Sequence, residues 1–215
     1  MQRSGVLLVI AGVFLLGLTA PAYASPPVFK SKMTTAEAFW HSEQVTGANT
    51  FTDTTWYVGV FAGFDGTVQY SDLYQDVEDC TADSTGNVSC TEVSSKFGDT
   101  QFPPGTTIFS FTMDTSGLTS AHLDGTYQLQ SFDQNGNPVG SPESDHIVAD
   151  WTGMGPIAKT HSKFSFHQKC IHFQATDKGR TRAADATGTL NGTPLGTTSD
   201  TFFGGDATLQ VDHSC

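Results

Sequence analysis

The sequence predicts an all-β protein, an antiparallel β-sandwich with a barrel as the alternative, stapled by disulfides. Three observations predict it. Short apolar or alternating runs recur between turn signals, which is the pattern of half-buried strands. Gly, Thr, Ser and Asp are abundant and long Glu/Lys/Leu/Ala stretches are missing, while 16 Phe together with Val, Thr and Tyr suit a pleated surface. Finally, all four cysteines, Cys80, Cys90, Cys170 and Cys215, follow an N-terminal export signal, so an oxidising compartment makes disulfides the expected state.

The signal is read from residue types. Met1-Gln2-Arg3 supplies a positive start, Val6 to Leu18 is apolar apart from two glycines, and Ala22-Tyr23-Ala24 places small residues at −3 and −1. The apolar run is too short for the roughly 20 residues of a membrane helix. Cleavage after Ala24 is therefore expected, giving a secreted protein, extracellular or periplasmic, with no membrane span after processing. Residues 25–32 read as a loose leader and 33–215 as a single domain, large enough to bury a core.

The strands are expected in order. Thr54–Phe61 sets Trp56, Val58 and Val60 against Tyr57, Gly59 and Phe61, and a turn follows at Phe64-Asp65-Gly66. Val68–Gln75 and Thr107–Met113 alternate, the latter with Phe109, Phe111 and Met113 sharing a face. Thr126–Phe132 follows an Asp124-Gly125 turn, and Asn135-Gly136 closes the next hairpin. Further strands are expected at His146–Trp151, Lys163–His167, Ile171–Gln174, Ala186–Leu190 and Ala207–Val211, with Asn191-Gly192 as a hairpin turn. Thr34–Ser42 suits a helix or a strand equally. Asp65-Gly66-Thr67-Val68-Gln69 echoes Asp124-Gly125-Thr126-Tyr127-Gln128, which allows a weak duplication with a boundary near 97–105, although Asp-Gly-Thr is common turn chemistry.

Four cysteines allow three pairings. Cys80 and Cys90 flank the turn-rich Thr81–Asn87, so a hairpin sets them face to face, and Cys170 with Cys215 would then pin the C-terminus. Asn87-Val88-Ser89 and Asn191-Gly192-Thr193 match the glycosylation pattern.

Charge is the unusual feature. The chain carries −12, yet Met33–Ala158 holds 17 acids against Lys96 alone, while Lys159–Arg182 holds six cations, three histidines and only Asp177. That basic segment gains charge as its histidines protonate near pH 6. It either docks an anionic partner or faces the acidic run Asp72, Asp76, Glu78, Asp79, Asp83 within the molecule. Nucleic acid is not expected, because the remaining surface repels phosphate.

Metal and cofactor signals are weak. His161, His167 and His172 lack paired metal spacing, and a disulfide would consume the Cys170 thiolate. Asp76, Glu78, Asp79, Asp83 and Asn87 offer calcium-type oxygens, and Asp133-x-Asn135-Gly136-Asn137 resembles the opening of a calcium loop without its closing glutamate. A solvated acidic hairpin tip is the expected reading, and no cofactor motif occurs. Glu143, Asp145, His146 and Asp150 gather acid–base groups, but no nucleophile elbow or phosphate loop accompanies them. Trp40, Trp56, Tyr57, Tyr70, Tyr74 and Trp151 offer faces for sugar rings if exposed, or else core.

The expected function is that of a secreted, non-catalytic binding or surface-interaction protein for an anionic or glycan ligand. Lys163, Lys169, Arg180 and Arg182 would contact the anion, with His167 among the tuning histidines. The alternatives are an extracellular hydrolase using Asp145, His146 or Asp150, and a structural envelope protein with no ligand.

Overall fold

The computed structural model describes the backbone of residues 28–101, 104–168 and 171–213. Nine strands account for it: β1 (Val28–Val45), β2 (Thr50–Gly63), β3 (Val68–Ala82), β4 (Val88–Asp99), β5 (Thr107–Met113), β6 (Ser120–Asp133), β7 (Pro138–Gln168), β8 (Ile171–Leu190) and β9 (Thr193–His213). Every pairing is antiparallel and the order is β4-β3-β2-β1-β9-β8-β7-β6-β5, with a further ladder joining β4 to β6 from Ser94–Asp133 to Phe97–Gln130. The all-β expectation therefore holds. So does one staple: Cys80 and Cys90 stand opposite each other in the β3–β4 register and are bonded. Cys170 and Cys215 lie outside the described residues.

Alternation builds the core. Ala36, Ala38 and Trp40 of β1 share a face with Val58, Val60 and Ala62 of β2, and all six are buried. Leu123, Tyr127 and Leu129 of β6 and Ile147, Ala149 and Trp151 of β7 complete the same cluster. The sheet wraps round this apolar face, since the Trp151 indole on β7 donates to the Glu37 carbonyl on β1 at 2.8 Å. Tyr127 on β6 likewise bonds the Ser71 hydroxyl on β3, and Ser71 donates onward to the Gly59 carbonyl at 2.6 Å. Gly188 leaves room for the Trp40 indole: a Cβ there would stand 2.7 Å from it. Gly188→Ala is accordingly expected to lose about 1–3 kcal/mol of stability by overpacking, measured as a lower denaturation midpoint at unchanged slope.

Several expectations need correction. Thr34–Ser42 is strand, part of β1, which starts at Val28 inside the stretch read as leader. Asp124-Gly125 is not a turn but the middle of β6. Gly125 is accepted there because a side chain would meet Ile108 at 2.9 Å. Its echo Asp65-Gly66 does turn, with Gly66 at φ +83 and the Asp65 carboxylate accepting from Thr67 N at 3.0 Å. His146–Trp151 and Lys163–His167 are one strand, since Gly155–Ile157 forms a bulge against β8 instead of a turn. A register shift between Ile108 and Ser110 separates Phe109, which is exposed, from buried Phe111. Asn191-Gly192 turns as expected, both residues at positive φ.

Candidate functional site

The basic segment becomes a site because two strands run side by side beyond the core. From Ala158 onward β7 pairs with β8 so that Lys159 stands opposite Arg180, His161 opposite Lys178 and Lys163 opposite Thr176. Residues two apart share a face, so Lys159, His161, Lys163, His167, Lys178 and Arg180 all belong to one face of this ribbon. Asp206 of β9 holds the register position between Lys178 and Lys32 of β1.

Against this face stands the loop between β5 and β6. Its first residue, Asp114, accepts from Ser116 N at 3.0 Å, Gly117 N at 3.1 Å and the Ser116 and Thr119 hydroxyls at 2.6 Å each. Those donors hold its carboxyl well below the usual carboxylate range. Leu118, at φ +49, turns its side chain into the core. Between loop and ribbon lies a cleft of about 430 Å³ lined by Lys159, His161, Lys178, Arg180, Phe64 and Leu118. The Lys32 ammonium lies 5.4 Å from the centre of the Phe64 ring at its border. A concave, cationic site with an apolar floor results.

The two arginines do different work from the lysines. Arg180 donates to the Ser116 carbonyl at 2.7 Å and also to that of Thr115. Arg182 donates to Gly155 O at 3.0 Å and Gly117 O at 2.9 Å. Both guanidinium groups therefore clamp the 114–118 loop, and Arg182 does not line the cleft. Lys163 and His167 are exposed on β7 outside the cleft, and Lys169 lies outside the described residues. Sequence reasoning missed Phe64, Leu118 and Lys32, and only the alternation Lys159-x-His161-x-Lys163 hinted at a shared face.

The acidic run does not cover this site. It lies on β3 and in the turn that follows it, whereas the described ion pairs join Lys96 to Glu143 at 2.8 Å, His122 to Asp150 at 2.7 Å and His146 to Asp124 at 2.8 Å. Asp83 caps its own turn, accepting from Thr85 N at 2.8 Å, Asn87 N at 3.0 Å and the Asn87 amide at 3.0 Å. Asp133 does the same for Asn135 and Asn137. Among the described residues the cluster with converging metal-type donors is Glu78 with Cys80 and Cys90, whose sulfurs are bonded to each other.

The acid–base candidates do not converge. Asp145 shares the inward parity of Ile147 and is 8% exposed, accepting from the Asn191 amide at 2.7 Å. His146 and Asp150 face the other way, held by Asp124 and His122. The His122–Asp150 pair lines a second cleft of about 550 Å³ with Asp114, whose carboxylate is fully engaged. Both glycosylation-pattern asparagines already donate through their amides, Asn87 to Asp83 and Asn191 to Asp145. Of the aromatics, Trp40 and Trp151 are core, Trp56 packs against it, and Tyr57, Tyr70 and Tyr74 lie half-buried on the outer face of β2 and β3.

That outer face holds a second electrostatic feature. Glu37, Gly59, Asp72 and Asp99 form one register row across β1 to β4. Burial first, then the Glu37 and Asp99 charges, push the Asp72 carboxyl up to about 7, and one of its oxygens is buried with no hydrogen-bond partner. Burial also raises Glu37, and it raises Tyr70 to about 12 with help from Asp72.

A search of protein-family models, of curated proteins and of solved structures finds no match to this chain. The functional reading therefore rests on the geometry. No helix among the described residues is long and apolar enough to cross a membrane, and the Cys80–Cys90 bond is compatible with an extracellular location.

Proposed function

We propose that this is a secreted, non-catalytic binding protein whose cationic cleft takes an anionic glycan. The observation that carries the reading is the convergence of Lys159, His161, Lys178 and Arg180 from two strands onto one concave site in a chain of net charge −12. Lys159 and Lys178 are exposed at its rim. The exposed Phe64 ring supplies the apolar surface on which a sugar ring stacks, and the Thr115 side chain adds a hydroxyl at the edge. Ammonium groups around a partly enclosed site bind sulfate or carboxylate more strongly than on an open surface. Export follows from the Arg3 to Ala24 pattern, and the β4–β6 ladder favours a barrel-like closure of the sheet over a sandwich.

The test is calorimetric titration with a sulfated oligosaccharide of the heparin type. Removing two charge-assisted contacts in Lys159→Gln/Lys178→Gln is expected to weaken binding by about 10–100-fold, and Lys163→Gln, outside the cleft, to change it little. Binding should also weaken as salt screens the cations. Equal affinity in the double variant and the native protein would refute the reading.

A further inference from the structure

The two ends of the sheet are electrically opposite. β1 runs from Lys32 at the cleft to Glu43, eleven residues on and therefore about 36 Å away along the strand. At the far end Glu43 stands opposite Asp53, Asp53 opposite Glu78, and Glu78 opposite Glu92, a row of four carboxylates across β1 to β4. Like charges in direct cross-strand pairs destabilise a sheet. Two observations show the strain here: Asp53 and neighbouring Asp76 each keep a buried oxygen with no hydrogen-bond partner, and Asp76 is raised by burial and by the Glu92, Glu78 and Asp53 charges.

Among the described residues each end also finishes in a strand edge that pairs on one side only. Among the described residues, β7 beyond Thr152 pairs only with β8, and β4 before Ser94 pairs only with β3. The β7 edge carries Lys159, His161 and Lys163 with exposed Phe164 and Phe166, and the β4 edge carries Glu92 with exposed Val88 and Val93. An exposed edge is a template for another strand. We propose that the β7 edge of one copy adds to the β4 edge of a second copy, head to tail. Charge selects this occupant: β7 against β7, or β4 against β4, would set like charges opposite each other, whereas β7 against β4 brings its lysines to Glu92, the β4 member of the carboxylate row. Because the two surfaces differ, the contact is heterologous and extends into chains rather than closing as a two-fold dimer. This use of the β7 edge goes beyond the cleft reading.

Sedimentation velocity on the purified protein tests it. At ~0.02 M salt the average mass is expected to grow with concentration beyond one chain, and to return to one chain at ~0.5 M, where the screening length falls from about 20 Å to about 4 Å. Lys163→Glu and Glu92→Lys should each abolish the growth, and the double variant Lys163→Glu/Glu92→Lys should restore it by swapping the charges. Lys178→Gln, which lowers glycan binding in the cleft, should leave assembly intact, so the two proposals fail separately. A single-chain mass up to about 1 mM in low salt overturns the inference, as does growth that persists in Lys163→Glu, a complex that stops at two, or no recovery in the charge-swapped variant.

Discussion

Asp72→Asn is expected to make the protein more stable at pH 8 and to leave its stability unchanged at pH 3. In the folded chain the Asp72 carboxyl is raised to about 7, first by burial and then by Glu37 and Asp99, while an unfolded aspartate titrates near 3.9. The folded state therefore holds a proton that the unfolded state has released, and stability falls as pH rises between those two values. The penalty is absent below the unfolded value and complete above about 7. Asp72 keeps partial solvent access, so the gain on neutralising it is about 2–3 kcal/mol rather than the full value the raised carboxyl implies. Urea titrations of both proteins at pH 3, 5 and 8 measure it. A difference that does not change with pH would contradict the assignment. Asn suits the position because the group that faces Tyr70 and the Gly59 gap stays the same size and polar.

The second large effect is at Arg182. Its guanidinium joins Gly155 O on β7 to Gly117 O in the loop that walls the cleft. Charge-assisted bonds of this kind contribute about 1.5–3 kcal/mol each before the carbonyls recover water. Arg182→Ala is expected to lower stability by about 2–3 kcal/mol and to weaken glycan binding although the side chain does not line the cleft. Arg182→Lys separates position from charge. A lysine retains the charge without the fork that reaches two carbonyls at once, so it should behave like the alanine variant. Full affinity in Arg182→Lys would show that only its charge matters.

These two residues also mark what the sequence could disclose. Turns were legible at Gly66, Gly136, Asn191 and Gly192, each at positive φ. The core was legible where Trp56, Val58 and Val60 alternate along one strand, and the Cys80–Cys90 staple because nine residues rich in turn formers separate its ends. Gly125 misled because a glycine needed for close packing against Ile108 looks like one needed for a turn. The bulge between Met154 and Ala158 left no sign in the alternation, so His146–Trp151 and Lys163–His167 read as two strands where there is one. The charge inversion at Lys159–Arg182 was plain. The roles within it were not, because Arg182 bonds a loop 65 residues away and the carboxylate row Glu43, Asp53, Glu78, Glu92 exists only in the register of four strands. Asp72 was counted among the acids with no sign that burial would change its chemistry.

The central claim is that the anion enters between the 114–118 loop and the β7–β8 ribbon. Amide chemical-shift mapping during titration with a sulfated oligosaccharide tests it most directly. The account predicts shifts concentrated at Thr115–Leu118, Lys159–His161 and Lys178–Arg180, saturating with one affinity. Shifts centred on the outer face of β2 and β3, or no shifts at saturating glycan, would contradict it.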